Sequence, residues 1–232
     1  MPDTPVPPLA LLEAAYKTGL VGNSRGVQMA AHSQITPIFA QALSAFVQKA
    51  QPRTVVEIGM AQGFSTLAIL STLPQDGVLI SVDPFQDTEY AGVGKAQVAR
   101  STRAAAHKLV TEVDYLALPR MIEQGLSVDF AYIDGMHTFD YVLLDAFYLD
   151  KLVSVGGAIA FNDCGFRSIH KFLKYFKNHR NYAEIDVGLP RDFRGANPLI
   201  TLIRTLTGRS NQDRYFRKIS AWEPEHNFFR DF

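Results

Sequence analysis

The sequence predicts an α/β domain built on a doubly wound, mostly parallel sheet, and three observations carry that prediction. Short apolar runs alternate with amphipathic segments along most of the 232 residues. The runs are nearly continuous in aliphatic residues, as expected of strands covered by helices on both faces. The unusual polar and glycine residues collect where those runs end, which is where ligands bind in an open parallel sheet.

Strands are predicted at Thr54–Ile58, Val78–Val82, Leu109–Val113, Val128–Ile133, Ala158–Phe161 and Tyr182–Val187. Helices are predicted near Ser65–Thr72, Lys95–His107, Leu118–Gln124, Phe139–Leu152 and Ser168–His179. Alternation of this kind winds into a parallel sheet with helical crossovers. Residues 9–50 add helices before the first strand, separated by the glycine-rich stretch Gly19–Gly26. Residues 1–50 therefore read as a helical cap on the substrate side and residues 51–232 as the main body of what is overall a single domain. Residues 188–213, with Pro190, Gly195, Pro198 and Gly208, read as irregular, and a seventh strand follows near Tyr215–Ala221. There is no internal repeat and no low-complexity tract.

A hydrophobic content of 47% with 20% charged residues excludes a disordered chain. Cys164 is the single cysteine, which excludes an intrachain disulfide and suits a reducing, cytoplasmic compartment. Met1 to Pro8 holds four prolines and no basic region leading into an apolar run, so it does not read as a secretory leader. No apolar run reaches the roughly 18 residues of a membrane span. The net charge is zero, yet Gly165 to Ser220 holds twelve Lys or Arg against four acids. That excess reads as solvated surface balanced elsewhere, and no nucleic-acid partner is expected. In the helix at 168–179, Ile169, Phe172, Leu173 and Phe176 share a face with the preceding Phe166, and Arg167, His170, Lys171, Lys174 and Lys177 share the other. The apolar face is expected to pack on the sheet and the basic face to meet water, rather than to lie on a membrane.

The first strand runs into Glu57-Ile58-Gly59-Met60-Ala61-Gln62-Gly63-Phe64-Ser65-Thr66. Gly59 and Gly63 allow a tight turn and close backbone approach to a ligand, and Ser65 or Thr66 begins the next helix. Glu57 suits a ligand bearing an ammonium group. The second strand ends at Asp83, where an acid can accept both hydroxyls of a ribose. A dinucleotide site has a third glycine that clears space for a pyrophosphate, and Met60 and Ala61 stand there instead.

Glu57-x-Gly59-x-x-x-Gly63 followed by Asp83 resembles the cofactor signature of class I S-adenosylmethionine-dependent methyltransferases, from about Pro52 to Phe232. The resemblance implies a Rossmann-like seven-stranded sheet with an antiparallel last strand. It also implies a glycine loop on the methionine part of S-adenosylmethionine and Asp83 on its ribose. Asp114 or Tyr115, after the third strand, stand at the adenine position.

The fourth strand runs into Asp134-Gly135-Met136-His137, and the fifth into Asn162-Asp163. Adjacent parallel strands would set Asp134 beside Asn162 and Asp163, three oxygen donors suited to Mg²⁺ or a similar hard cation. Asp134 also stands at the cofactor's end of the sheet. This arrangement resembles the metal-dependent sugar and macrolide O-methyltransferases and, more distantly, the catechol O-methyltransferases. The resemblance implies His137 as general base and a small-molecule hydroxyl acceptor, with Asn162 departing from the acid often found at its position. A homodimer is compatible with the sequence. Two other readings stay open: a metal-free methyltransferase acting on nitrogen or another acceptor, and a dehydrogenase-like nucleotide-binding protein. The other histidines have no partner motif, and Cys164 is not needed as a nucleophile.

Overall fold

The computed structural model describes residues 4–23, 25–32 and 34–232. The leader-free reading of the amino terminus rests partly on residues 1–3, and the glycine-rich stretch includes Ser24; these lie outside the described residues. The chain divides into two compact units, one ending at Ala117 and the other running Leu118–Phe232.

The first unit begins with α1 (Pro8–Thr18), the short antiparallel pair β1 (Leu20–Gly22) and β2 (Gln28–Ala30), and α2 (Pro37–Ala50). The alternating part follows: β3 (Thr54–Ile58), α3 (Phe64–Thr72), β4 (Val78–Val82), α4 (Val93–Ala99) and β5 (His107–Val110). Both early helices start on proline and end on a left-handed cap, Gly19 for α1 and Gln51 for α2. Thr36 Oγ1 accepts from Phe39 N at 3.4 Å to close the first turn of α2. The helices α1 and α2 pack on α3, whose residues Phe64 to Leu70 are all buried. A helix apolar on every side has to be enclosed, and here the amino-terminal helices enclose it. The strands β3, β4 and β5 pair in parallel, with Glu57 opposite Ser81 and Ser81 opposite Leu109.

The helix α5 (Asp114–Glu123) spans the unit boundary, and the second unit continues through β6 (Val128–Ile133), α6 (Phe139–Leu152), β7 (Val153–Phe161) and α7 (Arg167–His179). It ends with β8 (Tyr182–Ile185), α8 (Pro198–Thr207) and β9 (Arg214–Lys218). β6 and β7 are parallel, while β9 is antiparallel to both β7 and β8. The seven long strands share one sheet in the order β5-β4-β3-β6-β7-β9-β8. The mostly parallel sheet with an antiparallel last strand is thus the architecture the sequence predicts. Ile169, Phe172, Leu173 and Phe176 are the buried face of α7, as expected, with the lysines of the other face outside, whereas Phe166, expected on the packed face, precedes the first turn and is 51% exposed.

Several segments differ from expectation, and β7 starts at Val153 rather than Ala158. The helix predicted over Lys95–His107 stops at Ala99. Beyond it the chain is captured by Val6, whose N donates to Arg100 O at 2.8 Å and whose O accepts from Thr102 N at 2.9 Å. The third strand starts at His107 rather than Leu109, and the next helix begins earlier, at Asp114, with Pro119 inside it. The stretch read as irregular contains α8, because Pro198 and Gly208 are its first residue and left-handed cap rather than breakers. Asn197 Oδ1 accepts from Ile200 N at 2.9 Å and completes the start of that helix.

Candidate active site

Two clusters at the carboxyl ends of the strands hold the residues singled out by sequence. In the first unit, the turn after β3 has left-handed backbone at Gly59, Ala61 and Gly63, with φ of 86°, 46° and 86°. Two glycines make such a turn accessible; Ala61 bears the strain. The Met60 side chain is buried, so it fills the core below the turn. Gly63 caps α3.

The two carboxylates expected at the cofactor both lie behind this turn. Glu57 is fully buried and accepts from Ser65 Oγ at 2.5 Å, Thr66 Oγ1 at 2.7 Å and Ser81 Oγ at 2.5 Å. Rather than facing a ligand's ammonium group, Glu57 ties β3 to α3 and β4, and Ser65 is occupied with it. His107 extends the chain through Ser81 Oγ at 2.9 Å, and burial lowers its pKa to about 4, which keeps it neutral. Asp83 is 3% exposed. Its Oδ2 accepts from Met60 N at 3.1 Å, Ala61 N at 2.7 Å and Gln86 Nε2 at 3.0 Å, and its Oδ1 from Phe85 N at 2.8 Å. Both oxygens that were expected to take ribose hydroxyls therefore hold the turn in shape. Asp114 is at the start of α5, nearly buried, with Oδ1 accepting from Tyr115 N at 2.6 Å.

Two residues that the motif did not reveal complete this cradle. Gln86, fully buried, donates to Ala61 O at 2.6 Å and accepts from Lys95 N at 3.2 Å. A Cβ at Gly94 would stand 2.4 Å from Ala61 O, so glycine is required there for α4 to approach the turn. On the amino-terminal side, Gln62 donates to Ala30 O at 3.0 Å and accepts from His32 N at 2.8 Å. Replacing Asp83 with alanine should leave several buried amides without an acceptor and cost about 1–3 kcal/mol of stability. A urea-denaturation midpoint equal to that of the unchanged protein would remove Asp83 from this role.

In the second unit, the parallel register pairs Ile133 with Phe161, and Asn162 N donates to Ile133 O at 3.0 Å. That register sets Asp134 and Asn162 side by side one residue later, as the sequence implied. Asp163 follows with φ of 53°. His137, in the loop before α6, stacks on Phe166 with ring centroids 5.2 Å apart. Its backbone oxygen accepts from Ser168 Oγ at 2.5 Å. His137 Nε2 lies 3.5 Å from Asp134 Oδ1 and 3.3 Å from Asp163 Oδ2, near enough for charge attraction but making no hydrogen bond of good geometry.

Burial raises Asp134 to about 6; the contact with His137 opposes this and the charge of Asp163 adds to it. Burial also raises Asp163, against the attraction of His137. For His137 burial favours the neutral ring, yet the contact with Asp134 and the charges of both acids outweigh it and raise its pKa above the ordinary value. Oδ1 of Asp134, Nε2 of His137 and Oδ2 of Asp163 lie within 4.8 Å of one another. Among the described residues these two half-buried carboxylates pair with no Lys or Arg, and His137 Nε2 beside them carries no hydrogen bond; such a set fits a divalent cation.

Asn162 is tied from behind through its amide nitrogen. Its Nδ2 donates to Tyr132 Oη at 3.1 Å and to Asp213 Oδ1 at 3.0 Å. Tyr132 Oη donates to Asp213 Oδ2 at 2.9 Å. Asp213 is 1% exposed, and burial raises its pKa strongly, with the two hydrogen bonds opposing and the charges of Asp134 and Asp163 adding. Cys164 is buried, donates to Phe161 O at 3.2 Å and is held as a thiol by burial, so it does not line the cluster as a nucleophile.

A family model described as a methyltransferase domain matches residues 56–164, the span from β3 to the end of the second cluster. A caffeoyl-CoA O-methyltransferase of Stellaria longipes is 30% identical over 131 residues, covering 55% of this chain and 53% of that one. A flavonoid 3',5'-methyltransferase of Vitis vinifera is 32% identical over 114 residues, covering 48% and 47%. The chain thus spans about half the length of these curated relatives. Among solved structures, an O-methyltransferase of Streptomyces achromogenes in complex with S-adenosylmethionine superposes with a TM-score of 0.65 at 13% identity, over 92% of this chain and 89% of that one. That likeness shows the fold. Residues 56–164 therefore carry the glycine turn and match a methyltransferase domain, and the chain is similar in sequence to S-adenosylmethionine-dependent O-methyltransferases.

Proposed function

We propose that this protein transfers a methyl group from S-adenosylmethionine to a hydroxyl of a small acceptor, with a divalent cation of the Mg²⁺ type assisting. The observation that carries this reading is the convergence of Asp134, His137 and Asp163 at the ends of β6 and β7. In this reading Gly59 and Gly63 let the backbone approach the methionine part of the cofactor, with Glu57, Ser65 and Asp83 holding the turn from behind. Asp114 lies toward the adenine end.

S-adenosylmethionine supplies an already activated methyl group and a good leaving group, so the protein needs no nucleophile of its own. Asp134 and Asp163, with the Asn162 carbonyl as a further donor, would hold such a cation, which would supply Lewis acidity to the acceptor hydroxyl. His137 then takes the hydroxyl proton at Nε2, the nitrogen that carries no hydrogen bond. The relatives named for caffeoyl-CoA and flavonoid substrates add phenolic hydroxyls to the sugar-type acceptors suggested by the Asp134–His137 turn. A cytosolic setting agrees with the lone buried Cys164, and among the described residues no helix is long and apolar enough to cross a membrane.

Chelation should suppress turnover and Mg²⁺ should restore it, while Asp134→Ala and Asp163→Ala each weaken cation binding. The test is product formation, followed by mass spectrometry across pooled phenols and glycosides with and without chelator. Full activity in excess chelator would return the protein to the metal-free reading.

A further inference from the structure

We propose that Asp213 is a positioning residue that fixes the amide of Asn162 so that its carbonyl oxygen is the atom offered to a cation at Asp134 and Asp163. This rests on the cation reading above. The argument is one of donors and acceptors. The Nδ2 group of Asn162 has two hydrogens, and both are spent, one on Tyr132 Oη at 3.1 Å and one on Asp213 Oδ1 at 3.0 Å. Tyr132 Oη gives its own hydrogen to Asp213 Oδ2 at 2.9 Å, so the hydroxyl can only accept from the amide. With Nδ2 committed, Oδ1 is the amide's remaining ligand atom, and among the described residues nothing donates a hydrogen bond to it. An amide rotated by a half-turn would instead present an NH₂ group, which cannot ligate a cation, and would turn its oxygen against a carboxylate.

The same geometry explains why asparagine stands at position 162. A carboxylate there would meet the carboxylate of Asp213 at hydrogen-bond distance in a site where Asn162 is 6% exposed and Asp213 is 1% exposed. Two carboxyl groups so placed cannot both be ionised. The acid stands one layer behind the ligand position, and the amide transmits its orientation forward. Outer partners of this kind typically change metal affinity by about 10–100-fold when removed.

Three proteins test this: wild type, Asp213→Asn, and the exchanged pair Asn162→Asp with Asp213→Asn. Free Mn²⁺ is counted by electron paramagnetic resonance in a titration without cofactor or acceptor, alongside thermal melting. Asparagine at 213 has one acceptor and one NH₂ where aspartate offers two acceptors, so it cannot hold Asn162 and Tyr132 both as donors and leaves the amide free to rotate; Asp213→Asn is expected to bind Mn²⁺ at least about tenfold more weakly. The exchanged pair restores the match of donor to acceptor, with a carboxylate now in front, and is expected to regain or exceed wild-type affinity. A merely structural role for Asp213 would lower the melting temperature of both variants and predict no such recovery. If wild type binds Mn²⁺ and a folded Asp213→Asn binds it equally well, this inference fails and the cation reading stands. If wild type binds none, the cation reading fails and takes the inference with it. Should Asp213→Asn not fold, the exchanged pair decides: Mn²⁺ binding supports the inference, and loss of binding or of folding overturns it.

Discussion

Replacing His137 with alanine is expected to lower kcat by about 10²–10⁴, the usual contribution of a positioned base. Binding of S-adenosylmethionine should hardly change, because His137 is not part of the Gly59–Gly63 turn proposed to hold the cofactor. The reason is the division of labour in the acid cluster. In the proposed reading a cation would acidify the acceptor without collecting its proton, and Asp134 and Asp163 would be occupied in holding it. His137 Nε2 is the remaining basic atom of the cluster.

The pH dependence gives the sign. Both acids raise the pKa of His137 above its ordinary value of about 6.5, so at low pH the ring is cationic and cannot accept a proton. Activity should therefore rise with pH as the ring loses its proton. Occupation of the cluster by a cation works against the acids and moves that rise to lower pH. A His137→Ala enzyme with near-normal kcat, once chemistry is shown to limit the rate, would take the residue out of the mechanism.

The second large effect is expected at the glycine turn, where Gly63→Val should abolish measurable S-adenosylmethionine binding. At a φ of 86° a β-branched side chain is strained, a cost of about 1–3 kcal/mol, and the turn would relax away from its present course. Gly94→Ala makes a sharper version of the test, since it lies outside the motif. Its added Cβ would stand 2.4 Å from Ala61 O, so α4 and the turn have to separate. Weakened binding in that variant would tie cofactor affinity to the shape of the turn. Calorimetry that found unchanged affinity in both variants, or tight NAD binding with none of S-adenosylmethionine, would overturn the cofactor assignment.

The amino-acid sequence by itself determined the strand-helix alternation and the placing of the glycine turn and the Asp134–His137 turn at strand ends. Those are consequences of local pattern: apolar runs make buried strands, and glycine stands where φ is positive. The register of β6 on β7 could also be read, because an Asp after one strand and an Asn after its neighbour align when the paired residues Ile133 and Phe161 are their immediate predecessors. What each polar side chain touches was decided by tertiary structure alone. Glu57 and Asp83 look like ligand-binding carboxylates in a linear motif. Buried among hydroxyls and backbone amides, they bond inward, since an enclosed charge must have donors. Gln86 and Gly94 carry no motif and matter only because α4 lies against the turn. Asp213 is 51 residues from Asn162 and 81 from Tyr132, and only the antiparallel return of the chain at β9 brings it behind them. A hydrogen bond between residues so far apart leaves no periodic trace in the sequence, because it depends on which strand ends become neighbours and not on spacing along the chain.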